Sequence, residues 1–240
     1  MSVNINIQGY LDRVNAPWGK LFYKLIWHNI DCEGKRILDF GSGFGVTADY
    51  FAKNNDVMAI EPNVEMLEHR FCNNEYSQIV GGIEQLRKIP NQSYDMIICH
   101  NVMEYLDNRK GLLYEFGRVL KPDGVISIVK HNKTGKIMQK AVFEYKINEA
   151  IDLINNGKAV SANFGTINEY DNCELEKYCE GSLEIDKIYG VQMFFALQRS
   201  ELKMESDWIS NMYNLECTTE EISEFRNIAS FHHVILKHTM

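Results

Sequence analysis

Asp39, Gly41, Ser42, Gly43 and Glu61 are the residues whose types and spacing point most directly to chemistry. The stretch Ile37-Leu38-Asp39-Phe40-Gly41-Ser42-Gly43-Phe44-Gly45 falls where a short apolar run gives way to helix-forming residues. Glycine serves a tight turn between strand and helix, because it accepts a positive φ without steric cost. The dinucleotide pattern GxGxxG fails here, since its third position falls on Val46. A backbone that approaches closely at Gly41 and Gly43 instead suits an uncharged ribose and a zwitterionic amino acid, with no pyrophosphate. Asp39 would organise that loop or meet an ammonium group. Glu61 ends a second apolar run, 22 residues after Asp39. An acid at that place accepts hydrogen bonds from ribose hydroxyls. A third signal, Gly81-Gly82-Ile83-Glu84, follows Gln78-Ile79-Val80 and is either a purine pocket or a further strand-to-helix loop. Ile83 would lie on the ring face, and a backbone N–H or Glu84 at its edge. A fourth, His100, follows the run Tyr94–Cys99, and is either a general base or a wall and structural hydrogen-bonding group.

The elements that must position these residues alternate in type. Arg36–Phe40, Val57–Ile60, Tyr94–Cys99 and Val125–Val129 are short apolar runs. Val46–Lys53, the series Val64, Leu67 and Phe71, and the stripe Leu112, Leu113, Phe116, Val119 and Leu120 have helical spacing. Such alternation predicts an α/β fold with a mostly parallel sheet covered on both faces. Lys121-Pro122-Asp123-Gly124 reads as a breaker and turn. Further on, a long helix is expected over about Thr134–Asn155, a loop near Ser161–Asn172, and strands over Ile185–Phe195 and Ala229–Lys237. No linker composition or repeat interrupts the chain, so a single domain is expected over 1–240. Its parts are an N-terminal segment (1–35), a cofactor core (36–131) and an elaborated C-terminal half (132–240).

Composition narrows the function classes. Over 240 residues, 25 basic and 33 acidic side chains leave a net charge of −8, unfavourable for general polyanion binding. Lys130, Lys133, Lys136, Lys140 and Lys146 form a local exception, sharing 17 residues with one acid, Glu144. With 45% hydrophobic and 24% charged residues the composition is globular. No apolar run has the length of a spanning helix, so no membrane role is expected. The six cysteines include no CxxC pair and none at zinc-ligand spacing from a histidine, so no metal is expected. No signal peptide is visible, and reduced cysteines point to the cytoplasm.

The four signals, with LxEFGRVLKPDGV at 113–125, resemble class I S-adenosylmethionine-dependent methyltransferases over residues 36–131. The resemblance implies a Rossmann-like sheet of seven strands, the last two a reversed hairpin, with helices on both faces. It implies S-adenosyl-L-methionine as cofactor, held by Asp39, Gly41, Ser42, Gly43, Glu61, Gly82, Ile83, Glu84 and His100. A narrower likeness joins Trp27, HNVMEYL at 100–106, KPDGVISIVKHNKTGKIM at 121–138 and GVQMFFALQR at 190–199 to bacterial enzymes that esterify carboxymethoxyuridine at the tRNA wobble position. Phe22 departs from that family, which carries an arginine there, and leaves Lys20, Lys24 or Arg13 to compensate. The acceptor is then an anionic or polar group, on tRNA or on the oxygen or nitrogen of a small metabolite; the alternative is a non-catalytic cofactor-binding regulatory module. Arg199 would hold it, unless it forms a surface ion pair with Glu201 or Glu205. His100 and Arg199 are the catalytic candidates. Tyr10, Trp18, Phe22, Phe194 and Phe195 are candidates for the acceptor wall.

Overall fold

The computed structural model describes residues 6–156, 159–161 and 165–239. In chain order the first half comprises α1 (Ile7–Asn15), α2 (Pro17–His28), β1 (Arg36–Phe40), α3 (Val46–Ala52), β2 (Asp56–Glu61), α4 (Val64–Glu68), β3 (Ser77–Val80), α5 (Ile83–Leu86), β4 (Tyr94–His100), α6 (Arg109–Val119) and β5 (Leu120–His131). The second half comprises α7 (Lys133–Met138), a π-helical stretch Gln139–Phe143, α8 (Ile147–Asn156), β6 (Ala159–Ser161), β7 (Gly165–Ile167), α9 (Asn172–Cys179), β8 (Leu183–Val191), α10 (Trp208–Thr219), α11 (Ser223–Arg226) and β9 (Phe231–His238).

Two compact units emerge. One comprises Asp31–Val129, Asn172–Lys187 and the chain from Val234 onward; the other comprises the chain up to Ile30, Lys130–Asp171 and Ile188–His233. All seven strands of the main sheet run wholly or partly through the first unit. Their order is β3-β2-β1-β4-β5-β9-β8, which places the two late strands side by side at one edge. β1 pairs in parallel with β2 and β4, β2 with β3, and β4 with β5. Ile37 and Leu38, which point to opposite faces of β1, are both fully buried, as a sheet covered on both sides requires.

α6 shows why the local sequence folds as it does. The Asn108 side chain caps it by accepting from Gly111 N–H, and Leu112, Leu113, Phe116 and Val119 are all buried. The breaker after it does not make a separate turn. β5 starts at Leu120, and the pairing jumps from Tyr94↔Leu120 to Met96↔Val125, so Lys121–Gly124 is absorbed as a bulge. Lys121 Nζ pins this bulge by pairing with Asp95 at 2.9 Å.

The second half departs further from expectation. The long helix over Thr134–Asn155 is broken into α7, the π-helical stretch and α8, with Tyr145 at φ 53°. Glu144 bonds both Lys140 (2.8 Å) and Lys146 (3.0 Å) at the break. The expected loop holds β7, which pairs antiparallel with β6 just before it, and Asn172 opens α9; residues 162–164 lie outside the described part. The strand expected over Ile185–Phe195 ends at Val191, because Gln192 turns at φ 64° and Glu216 takes the Met193 and Phe194 N–H groups. α4 stops at Glu68, short of Phe71, whose N–H donates to Phe44 O at 2.8 Å. No helix among the described residues is long and apolar enough to cross a membrane.

Candidate functional site

Three loops meet at the carboxyl ends of β1, β2 and β3, all within one unit. The first begins at Asp39, whose side chain is 3% exposed. Gly41, Gly43 and Gly45 adopt φ of 74°, 56° and 70°, the left-handed region that favours glycine. Gly41 also faces Val102 with no room for a Cβ, whereas Gly43 has only Met66 Sδ, 3.7 Å from where a Cβ would stand. The N–H groups of Gly41 and Ser42 both donate to Ile60 O, at 2.8 and 3.2 Å.

Glu61 ties the loops together. Its Oε2 accepts from Gly43 N–H at 2.9 Å and its Oε1 from Asn63 N–H at 2.8 Å. Its backbone carbonyl accepts from Gly81 N–H at 3.2 Å, which reaches the third loop. Burial raises the Glu61 carboxyl, working against those two side-chain hydrogen bonds. Asp39 is pushed up to about 7, first by burial and then by the charge of Glu61, with a backbone N–H bond at Ala48 acting in the opposite direction. Asp39 Oδ2 and Ser42 Oγ are buried and make no hydrogen bond among the described residues. Buried polar atoms of this kind call for a partner. A buried acid pair with an unpaired acceptor fits a ligand that brings an ammonium group and hydroxyl donors.

In the third loop, Glu84 Oε1 and Gly82 N–H bond to one another at 2.7 Å. Either was expected at the edge of a purine; here they cap the loop, and this bond holds the exposed Glu84 carboxyl below its usual range. Ile83 is half-buried at the start of α5. His100 closes β4, and its Nε2 lies 2.8 Å from Ser127 Oγ while its Nδ1 is shielded from solvent. Asn101 follows at φ 56°, a conformation asparagine tolerates better than most residues.

Asp39, Gly41, Ser42, Gly43 and Glu61 are thus brought together, with Gly82 linked to them through Gly81. Sequence reasoning missed Val102, Asn63 and Ser127. Asn63 alone had a readable signal, as the residue capping α4 through Met66 N–H. Arg199 belongs to the other unit, is exposed, and makes neither the ion pair with Glu201 or Glu205 nor another one among the described residues. In that unit Phe22 packs on Phe231 with ring centroids 5.1 Å apart, and Phe195 is 1% exposed against Trp208, so Phe195 is core.

Residues 38–128 match the protein family described as Methyltransferase domain. The ubiquinone biosynthesis O-methyltransferase of Neisseria meningitidis serogroup C is 30% identical over 116 residues, covering 44% of this chain and 48% of that protein. The protein of the same description from Salmonella paratyphi A is 26% identical over 115 residues, covering 45% and 48%. The chain therefore spans about half the length of the curated relatives it matches. Neither relative is a tRNA-modifying enzyme by description, so the likeness to the wobble-uridine enzymes rests on the sequence stretches alone. Among solved structures, a putative S-adenosylmethionine-dependent methyltransferase from Listeria monocytogenes superposes with a TM-score of 0.64 at 13% identity, covering 92% of this chain and 98% of that one. A chain from the complex of the Haloferax volcanii Trm112 methyltransferase activator with a putative methyltransferase gives 0.66 at 12% identity, covering 100% and 98%. At such identities these structures speak for the fold, which is the α/β, Rossmann-like fold of methyltransferases. Residues 38–128 thus match a methyltransferase domain, and the chain shares its fold with solved S-adenosylmethionine-dependent methyltransferases.

Proposed function

We propose that the chain transfers a methyl group from S-adenosylmethionine to a small molecule bearing a polar or anionic oxygen. The observation that carries the reading is the buried acids Asp39 and Glu61 at the loop of three left-handed glycines, with Asp39 Oδ2 unpaired among the described residues. In this reading Asp39 takes the ammonium of the cofactor's amino acid portion. Glu61 keeps one acceptor site per oxygen for ribose hydroxyls, since each oxygen already holds one N–H. The Gly41–Gly43 backbone gives close approach, and Ile83 and the Gly82 loop flank the base. The cofactor supplies a sulfonium-activated methyl group. The chain's own contribution is alignment and exclusion of water.

His100 acts as a wall rather than a base, because its Nε2 is engaged by Ser127. A carboxylate acceptor needs no base, and Arg199, exposed and without an ion pair among the described residues, is the candidate to hold it.

The small acceptor is favoured over tRNA by the state of the lysine stretch. Lys130 is 2% exposed and donates to Tyr170 O at 2.7 Å. Lys140 and Lys146 are spent on Glu144 and Glu149. The relatives' O-methyltransferase descriptions point the same way. The test is calorimetry with S-adenosylmethionine, its demethylated product and NAD, followed by methyl incorporation into bulk tRNA and into a panel of small phenols and carboxylic acids. Binding of the first two ligands and methylation of a small acceptor are expected. Tight NAD binding without response to the methyl donor overturns the cofactor reading, and incorporation into tRNA alone overturns the acceptor.

A further inference from the structure

His28 is the last residue of α2, and Cys217 and Glu220 lie one helical turn apart at the end of α10. One ligand atom from each of the three side chains lies within 4.8 Å of the others. They are an imidazole, a thiol and a carboxyl, three different ligand types rather than an acidic cluster. Their surroundings orient them. Glu220 is 6% exposed, and its Oε2 accepts from Asn29 Nδ2 at 2.8 Å. Its backbone carbonyl accepts from Gly190 N–H at 2.8 Å, which fixes the end of the helix. Tyr213 Oη lies 3.0 Å from His28 Nδ1, and His28 Nε2 is 3.9 Å from Glu220 Oε1.

We infer that His28 Nε2, Cys217 Sγ and Glu220 Oε1 form a zinc-type cation site that clamps the end of α2 to the end of α10. Thiolate, imidazole and carboxylate are the ligands Zn²⁺ prefers, and three of them leave a fourth tetrahedral position for water. One thiolate and one carboxylate balance the charge of a divalent ion. Nδ1–H of His28 then donates to the Tyr213 oxygen, which leaves Nε2 free to ligate; Asn29 holds the carboxylate in turn. Outer partners of this kind accompany metal-bound histidines and carboxylates generally. The three ligands come from opposite ends of the chain, so sequence spacing does not reveal them. The inference does not rest on methyl transfer.

The test is a Co²⁺ titration of the full chain, stripped with a chelator and kept reduced. Wild type is expected to bind one equivalent with a thiolate-to-cobalt band in the near ultraviolet and the visible bands of a four-coordinate ion. Zn²⁺, higher in the affinity order, displaces it. Cys217→Ser removes the near-ultraviolet band, and His28→Gln weakens binding at least about tenfold. Cys173→Ser, at an exposed thiol elsewhere, leaves the titration unchanged. Absence of the band in wild type, or its survival in Cys217→Ser, overturns the site. Should Cys217→Ser fail to fold, His28→Gln decides, because the half-exposed His28 ring can be replaced without opening a core; unchanged affinity there overturns it as well.

Discussion

At the scale of single residues, Glu61 does two things at once. Its oxygens accept from Gly43 and Asn63, so it builds the loop it also equips for a ligand. Glutamine at this position retains one carbonyl acceptor and gives up the other, whereas alanine gives up both. A hydrogen bond to a charged group is worth about 1.5–3 kcal/mol. Glu61→Gln should therefore weaken binding of the demethylated cofactor roughly tenfold, and Glu61→Ala up to roughly a hundredfold, with the circular dichroism of wild type. Undiminished affinity in a folded alanine variant would remove Glu61 from the site. His100 makes a different kind of prediction. With Nε2 held by Ser127, the ring positions its neighbours, and His100→Ala should lower turnover. The wild-type kcat should stay flat from about pH 6 to 8; a single ionisation near about 6.5 would make His100 the base instead.

At the scale of elements, the turn from β1 to α3 separates two reasons for glycine. Gly41 and Gly43 both have positive φ, but only at Gly41 would a Cβ clash with a side chain, that of Val102. A left-handed conformation costs an ordinary residue about 1–2 kcal/mol, and Gly41→Ala adds a steric clash to that. It should lower the urea midpoint more than Gly43→Ala, and Val102→Ala should recover part of the difference. Equal losses would show that the clash is relieved at no cost. The same turn shows what was legible in the sequence. The apolar runs of β1, β2 and β4, the stripe of α6 and the acid ending β2 are local patterns, and they were readable because period and punctuation set them. The break at Tyr145, the bulge at Lys121–Gly124 and the early end of β8 were not. Each is imposed by a partner that periodicity does not see: Glu144 on its two lysines, Lys121 on Asp95, and Glu216 on the backbone past Val191. At the site, the glycines and acids were legible by type. Val102 and Ser127 were not, because an apolar contact and a hydroxyl in a strand carry no spacing signal.

At the scale of the whole molecule, buried ionisable groups write opposite slopes into stability as pH changes. Asp39 has its carboxyl raised to about 7 from an ordinary 3.8. Between those values the folded chain holds a proton that the unfolded chain lacks, so this group's contribution falls as pH rises and levels off above about 7. His233, fully buried, is lowered to about 3 and His232 to about 4 from 6.5, both mainly by burial. There the unfolded chain takes up protons that the folded chain refuses, and stability falls as pH drops below 6.5. Single substitutions isolate the two slopes. Asp39→Asn should be more stable than wild type at pH 8, by a margin that shrinks at up to about 1.4 kcal/mol per pH unit as pH falls toward 4. That variant should also lose cofactor binding, since asparagine carries no charge for an ammonium. His233→Leu should gain on wild type in the opposite direction, growing as pH falls from 6.5. Urea denaturation at pH 5, 6, 7 and 8 reads both differences. A pH-independent margin for Asp39→Asn would show that Asp39 titrates normally in the folded protein, and with it would go the argument that the site holds a strained acid waiting for a cation.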